Sequence, residues 1–116
     1  MARRDVKRLK FAAIYPALVK KAERKGRTRD EVDQLIRWLT GYSDAQLARA
    51  AEGHDDLEAF FGAAPQMNPR RESITGVICG VRVEEIADPT EKAVRQLDKL
   101  VDELARGKTM EKILGR

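Results

Sequence analysis

ITGVICGVRVEEI, residues 74–86, admits two readings, and the architecture follows from the choice between them. The stretch is rich in β-branched residues, and Val81-Arg82-Val83-Glu84 alternates as a strand does. On a helical wheel of about 100° per residue, Ile74, Val77, Ile78 and Val81 share one face. Ser73, Gly76, Gly80, Val83 and Ala87 share an adjacent face of mostly small residues, which lets a neighbouring backbone come close. We prefer the helix. Two apolar faces predict a central, mostly buried rod over 69–87, whose close packing offsets two interior glycines at roughly 1 kcal/mol each. The competing reading is a small two-stranded ribbon made from residues 9–15 and 77–84.

To either side, helix start and stop signals recur. Thr28 with Glu31, Ser43 with Gln46 and Asp55 with Glu58 have capping-box spacing. Asn68-Pro69 and Asp88-Pro89 each set a good N-cap before a proline at the first helical position. Gly26, Gly41, Gly53 and Gly107 fall where C-terminal caps are wanted. Val32, Leu35, Ile36 and Leu39 form one apolar stripe, and Val94, Leu97, Leu100, Val101 and Leu104 form a longer one. Leu57, Phe60 and Phe61 mark a short amphipathic helix. The pattern predicts helices over 16–25, 28–40, 43–52, 55–63, 69–87, 89–106 and 109–114. The fold expected is all-α, a compact orthogonal bundle of about six to seven short helices, with α+β as the alternative if the ribbon forms. Residues 11–116 read as one helical domain and residues 1–10 as a flexible basic arm.

Composition bounds the function. The 116 residues are 42% hydrophobic and 36% charged, enough apolar material for one domain and against global disorder. A single cysteine excludes an internal disulfide, and with a single histidine it supplies no dedicated zinc site. No metal and no cofactor is expected. No apolar run approaches the roughly 20 residues of a membrane span, and the apolar stretch before Pro16 is too short for a secretion signal. A cytoplasmic protein without membrane contact is the expectation. The net charge of +4 is uneven. Residues 1–27 hold ten basic residues against Asp5 and Glu23, and the remainder is acidic by four. Such a segment suits phosphate, an acidic partner or the protein's own acidic remainder. The contacts would be Arg3, Arg4, Lys7, Arg8, Lys10, Lys20, Lys21, Arg24, Lys25 and Arg27.

Few side chains suggest chemistry. Glu84 and Glu85 would lie near a helix C-terminus, where the dipole disfavours negative charge. One reading is a partly buried carboxylate paired with Arg82, lining an inter-helix pocket as a ligand or acid/base group; the other is a structural ion pair or plain solvation. Cys79 lies in an apolar run and reads as a small buried core residue. His54, in Glu-Gly-His-Asp-Asp, reads as a loop residue. Trp38 lies off the apolar stripe and Tyr42 follows the Gly41 stop. Together they are either an anchor for a partner or packing beneath a neighbouring helix. Glu31 to Ala51 has the outline of a helix-turn-helix, but its second helix offers only Gln46 and Arg49 as base readers and starts with Asp44, which repels phosphate. Catalytic constellations are missing from the pattern, so the expectation leans away from an enzyme.

Three blocks carry a resemblance: KAERKGRTRDEVDQLIRWLTGYS (Lys21 to Ser43), ITGVICGVRVEEIADP (Ile74 to Pro89) and LDKLVDELARGKTMEKIL (Leu97 to Leu114). In this order they resemble a bacterial family known as domain of unknown function 2200, from about Phe11 to the C-terminus. The resemblance implies a small bacterial protein with a mostly helical bundle fold, and no substrate, cofactor or catalytic residue.

Function is therefore unknown at this level. The leading expectation is macromolecular interaction or self-association, as a homodimer for example. The alternatives are sequence-nonspecific nucleic-acid binding by the basic quarter, and a small-ligand site or enzyme at Glu84 and Glu85.

Overall fold

In the computed structural model, which describes residues 6–115, six α-helices are formed among the described residues. They are α1 (Phe11–Glu23), α2 (Arg29–Thr40), α3 (Asp44–Glu52), α4 (Leu57–Gly62), α5 (Pro89–Ala105) and α6 (Met110–Leu114). Single 3-10 turns occupy Val6–Arg8, Pro69–Ser73 and Val83–Glu85.

The caps work as their residue types dictate. The Thr28 hydroxyl accepts from the Glu31 N–H, and the Glu31 carboxylate accepts from the Thr28 N–H at 2.9 Å. Ser43 and Gln46 repeat the reciprocal pair at the start of α3. Asp88 caps α5, with Pro89 in its first turn. At the other ends, Gly26 and Gly107 take left-handed φ of 77° and 95°. The next N–H reaches back six residues inclusive in both cases, Arg27 to the Ala22 carbonyl and Lys108 to Glu103. This is the Schellman closure that glycine makes cheap.

The core follows the stripes. Val32, Leu35, Ile36 and Leu39 of α2 are fully buried, as are Leu100, Val101 and Leu104 of α5. Helix α5 lies against α1, α2, α4 and α6. Phe11 stacks on Phe60 with ring centroids 3.9 Å apart, and Phe61 meets Phe60 edge-on at 5.1 Å. Such pairs add roughly 0.5–1.5 kcal/mol each beyond the area they bury.

The segment at 74–86 corrects the helical expectation. Gly76, Cys79 and Gly80 have φ of 105°, 52° and 75°, which no α-helix contains. Positive φ at both Cys79 and Gly80 makes a two-residue hairpin turn of the primed kind, whose twist matches that of paired strands. It joins β1 (Val77–Ile78) to β2 (Val81–Arg82), antiparallel, with Val77 opposite Arg82 and Ile78 opposite Val81. The pleat turns Ile78 inward and leaves Val77 54% exposed. The ribbon thus pairs with itself, not with residues 9–15. Ahead of it, Asn68-Pro69 starts a five-residue 3-10 turn where the long helix was expected. The buried Gln96 of α5 donates to the Arg71 carbonyl at 3.2 Å and ties that turn down. The fold is a helical bundle carrying one small antiparallel ribbon.

Two boundaries also move. Helix α1 begins at Phe11, and Pro16 lies inside it instead of near its start. The cost is one helical hydrogen bond. Tertiary contacts hold the extra turn: the Phe11 N–H donates to the Asp55 carbonyl at 3.1 Å, and the Leu57 N–H donates to the Leu9 carbonyl at 2.8 Å. Asp56, not Asp55, caps α4, accepting from the Ala59 N–H at 2.9 Å.

Gly41 ends α2 with φ of 78°, and a Cβ there would lie 2.9 Å from the Gln66 carbonyl oxygen. Gly26 has the same φ within one degree and open space around it. Gly26→Ala should therefore cost only the left-handed strain, about 1–2 kcal/mol. Gly41→Ala should cost clearly more, because backbone must move as well. Urea midpoints of the two variants check this, and equal losses would mean that the 63–68 loop yields freely.

Candidate functional site

The carboxylates expected in a pocket are at the surface. Glu84 and Glu85 are both exposed. Glu84 accepts from the Gly76 N–H at 3.0 Å, and backbone N–H groups, its own and that of Gly76, hold its carboxyl below the usual range. Glu85 pairs with Arg82 at 3.3 Å. Both brace the base of the ribbon, because the segment that would have buried them turned back instead of coiling. Cys79, expected in the core, is exposed at the hairpin turn.

Trp38 and Tyr42 are half-buried and packed against the core. The Tyr42 hydroxyl donates to the Phe60 carbonyl at 2.5 Å, and its ring lies 4.9 Å from that of Phe60. The Trp38 carbonyl accepts from the Asn68 amide at 3.2 Å.

Much of the basic quarter is engaged with the protein's own acidic remainder. Arg3 and Arg4 lie outside the described residues. Lys7 pairs with Asp88 at 3.0 Å, and Arg8 reaches Asp56 and Glu58, each at 3.3 Å. Lys10 donates to the His54 carbonyl at 2.8 Å, and Lys21 pairs with Asp102 at 3.4 Å. Residues 6–10 are thus docked, not a free arm. Arg27 grips Glu31 at 2.7 Å and donates to the Leu104 carbonyl in the last turn of α5 at 3.3 Å and to the Lys108 carbonyl just beyond it at 2.9 Å, a cation set at the C-terminus of that helix. Lys20, Arg24 and Lys25 stay exposed.

The side chains that do converge lie where α1, α2 and α3 meet. A groove of about 660 Å³ opens there. From α1 come Tyr15, Val19, Lys20 and Glu23, spaced along two turns of one face. Arg29, Asp30, Asp33 and Arg37 come from α2, and Asp44, Leu47, Ala48, Ala51 and Glu52 from α3. Val19, Leu47, Ala48 and Ala51 make an apolar floor between charged rims. Tyr15 is the buried hinge of the polar network. Its hydroxyl donates to Asp33 at 2.5 Å and accepts from Arg29 Nε at 2.9 Å, and the Arg29 guanidinium lies 5.3 Å from its ring centroid. Burial, then the Asp33 hydrogen bond, raises the phenol above its ordinary value. Arg37 pairs with Asp44 across the α2–α3 junction.

A family model described as "Uncharacterized protein conserved in bacteria (DUF2200)" matches residues 5–115. The chain belongs to this family. Its match takes in the docked residues 6–10, which the resemblance read from sequence had left outside. The solved crystal structure of uncharacterized protein SP1917 is similar at 45% identity with a TM-score of 0.91, covering 98% of this chain and 93% of that one. Among curated proteins, none matches.

Sequence reading missed Tyr15, Arg29, Asp33 and Arg37 as site residues. A signal existed for the last three, which recur every four residues on one face of α2. Tyr15 had none, since only the packing of α1 on α2 brings it to them.

Two outcomes follow. Tyr15→Phe keeps the ring and removes both hydrogen bonds. It should cost about 1.5 kcal/mol, the low end for charged partners because Asp33 is half in water, read as a lower urea midpoint at unchanged slope. The second concerns acid. Glu31 is held below the usual range first by its hydrogen bond from Arg27. A lowered folded value contributes stability that is complete above the unfolded value, about 4.3, and is lost as pH falls through the folded value. Midpoints measured between about pH 3 and pH 7 should therefore fall on the acid side, and less steeply in Glu31→Gln.

Proposed function

We propose that this protein is a cytoplasmic binding module of bacteria that works by contact with another macromolecule, seated in the α1–α2–α3 groove. The carrying observation is the groove itself, with an apolar floor framed by charge and contributed by two turns from each of three helices. Apolar floors supply affinity and flanking charges supply orientation. Several of the ionisable groups in it bind one another, Tyr15 with Asp33 and Arg29, and Arg37 with Asp44, which suits a rigid surface better than a reaction centre. The nucleic-acid reading draws less support, since Lys7, Arg8, Lys21 and Arg27 already meet carboxylates. Self-association through the same groove is the form the reading takes if the partner is a second copy.

Ala48 is exposed on the groove floor, so Ala48→Arg blocks the floor without disturbing the core. Native pull-down combined with light scattering should show a partner, or a dimer, that Ala48→Arg removes and Arg24→Ala retains. Association untouched by Ala48→Arg would overturn the proposal.

A further inference from the structure

We infer that the occupant of the groove is a cationic amphipathic helix of a partner protein; this deepens the reading above and rests on it. Charge favours a cationic occupant. The chain as a whole carries +4, yet the groove is lined by Lys20, Arg29 and Arg37 against five carboxylates, a local inversion of sign. Arg37 is paired with Asp44, and Arg29 hydrogen-bonds Tyr15 with its charge near Asp33 and Glu23. Asp30 and Glu52 remain at the rims, exposed, to face an incoming charge, and Glu23, exposed beside Arg29, adds to them. A polyanion would meet repulsion there, and an acidic peptide likewise.

Shape favours a helix. Pro16, Lys20, Ala48 and Glu52 line the groove and are themselves exposed. A small molecule would remain largely wet in so open a trough, whereas small-ligand sites bury most of their ligand. A helix laid along the trough can set an apolar stripe on the floor and its basic flanks against the rims, the helix-in-groove mode of recognition. The two turns offered by each wall, about 12 Å, match the spacing of anchors at i, i+3, i+4 and i+7.

The groove already holds a guanidinium of its own. Arg29 lies over the Tyr15 ring while its charge faces Asp33 and Glu23. An arginine of the partner helix would meet carboxylates in the same way at Asp30 and Glu52.

The test uses isotope-labelled full-length protein and three synthetic peptides of about four turns. One is an amphipathic Leu/Lys helix, one has Glu in place of every Lys, and one has the Leu/Lys composition scrambled so that no apolar stripe exists. The first should shift the amides of Val19, Leu47 and Ala48, with an affinity that falls as salt rises. Glu23→Lys with Glu52→Lys should weaken it at least tenfold. Both positions end helices, where a cation suits the dipole, so the variant keeps its fold, which circular dichroism checks. Equal binding by the scrambled peptide, or shifts elsewhere that the double variant leaves unchanged, would overturn the inference. Preference for the Glu peptide in the groove would overturn the charge assignment and leave the groove as a site. If no peptide touches the groove and Ala48→Arg changes no association, the reading beneath it falls too.

Discussion

Burial of the apolar face of α5 is the constraint to which the other elements answer. Its stripe from Val94 to Leu104 has no exposed side, because α1, α2, α4 and α6 cover it in turn. A helix in that position cannot lie askew at its ends. At its start, Asp88 caps the first turn and takes Lys7 from the other end of the chain. At its finish, the Gly107 closure leaves carbonyls that Arg27 covers, and Arg27 is held in turn by Glu31 of the α2 capping box. The junction that starts α2 and the junction that ends α5 are therefore one hydrogen-bonded unit. The direction of α2 against α5 is set there, and with it the α2 wall of the groove.

The uneven charge of the sequence has the same explanation. Ten cations crowd the first 27 residues, and several of their partners lie at Asp56, Asp88 and Asp102. Exposed pairs of this kind contribute little stability individually. They do select which face of the N-terminal segment meets the rest, since the wrong docking would leave like charges opposed.

The helices were legible wherever a cap and a stripe agreed. Thr28, Ser43 and Asp88 marked the starts of α2, α3 and α5, and Gly26, Gly41 and Gly107 marked ends, because these features act within one turn of chain. Residues 74–86 were not legible from spacing alone. A two-residue turn leaves the inward side chains Ile78 and Val81 three positions apart, which a helical wheel also places together. What separates the readings is Cys79-Gly80, a pair that suits a primed turn and breaks a helix. The start of α1 was hidden differently. Pro16 reads as a beginning, and only the contacts of Phe11 with Asp55 and Phe60, far along the chain, overrule it. The groove shares that limitation. Its α2 wall is periodic, yet nothing local announces that Tyr15 will meet Asp33. The glutamates drew attention because they sat oddly on a helix that does not exist.

The stacking of Phe11 on Phe60 and of α1 on α5 bears on how the protein is born. During synthesis the ribosome extrudes Phe11 long before Leu100 and Ile113, both fully buried. At about 5–20 residues per second, the greasy side of the opening helix must wait several seconds for its cover. That face is sheltered in the interval only by provisional contacts, and native closure waits for α5.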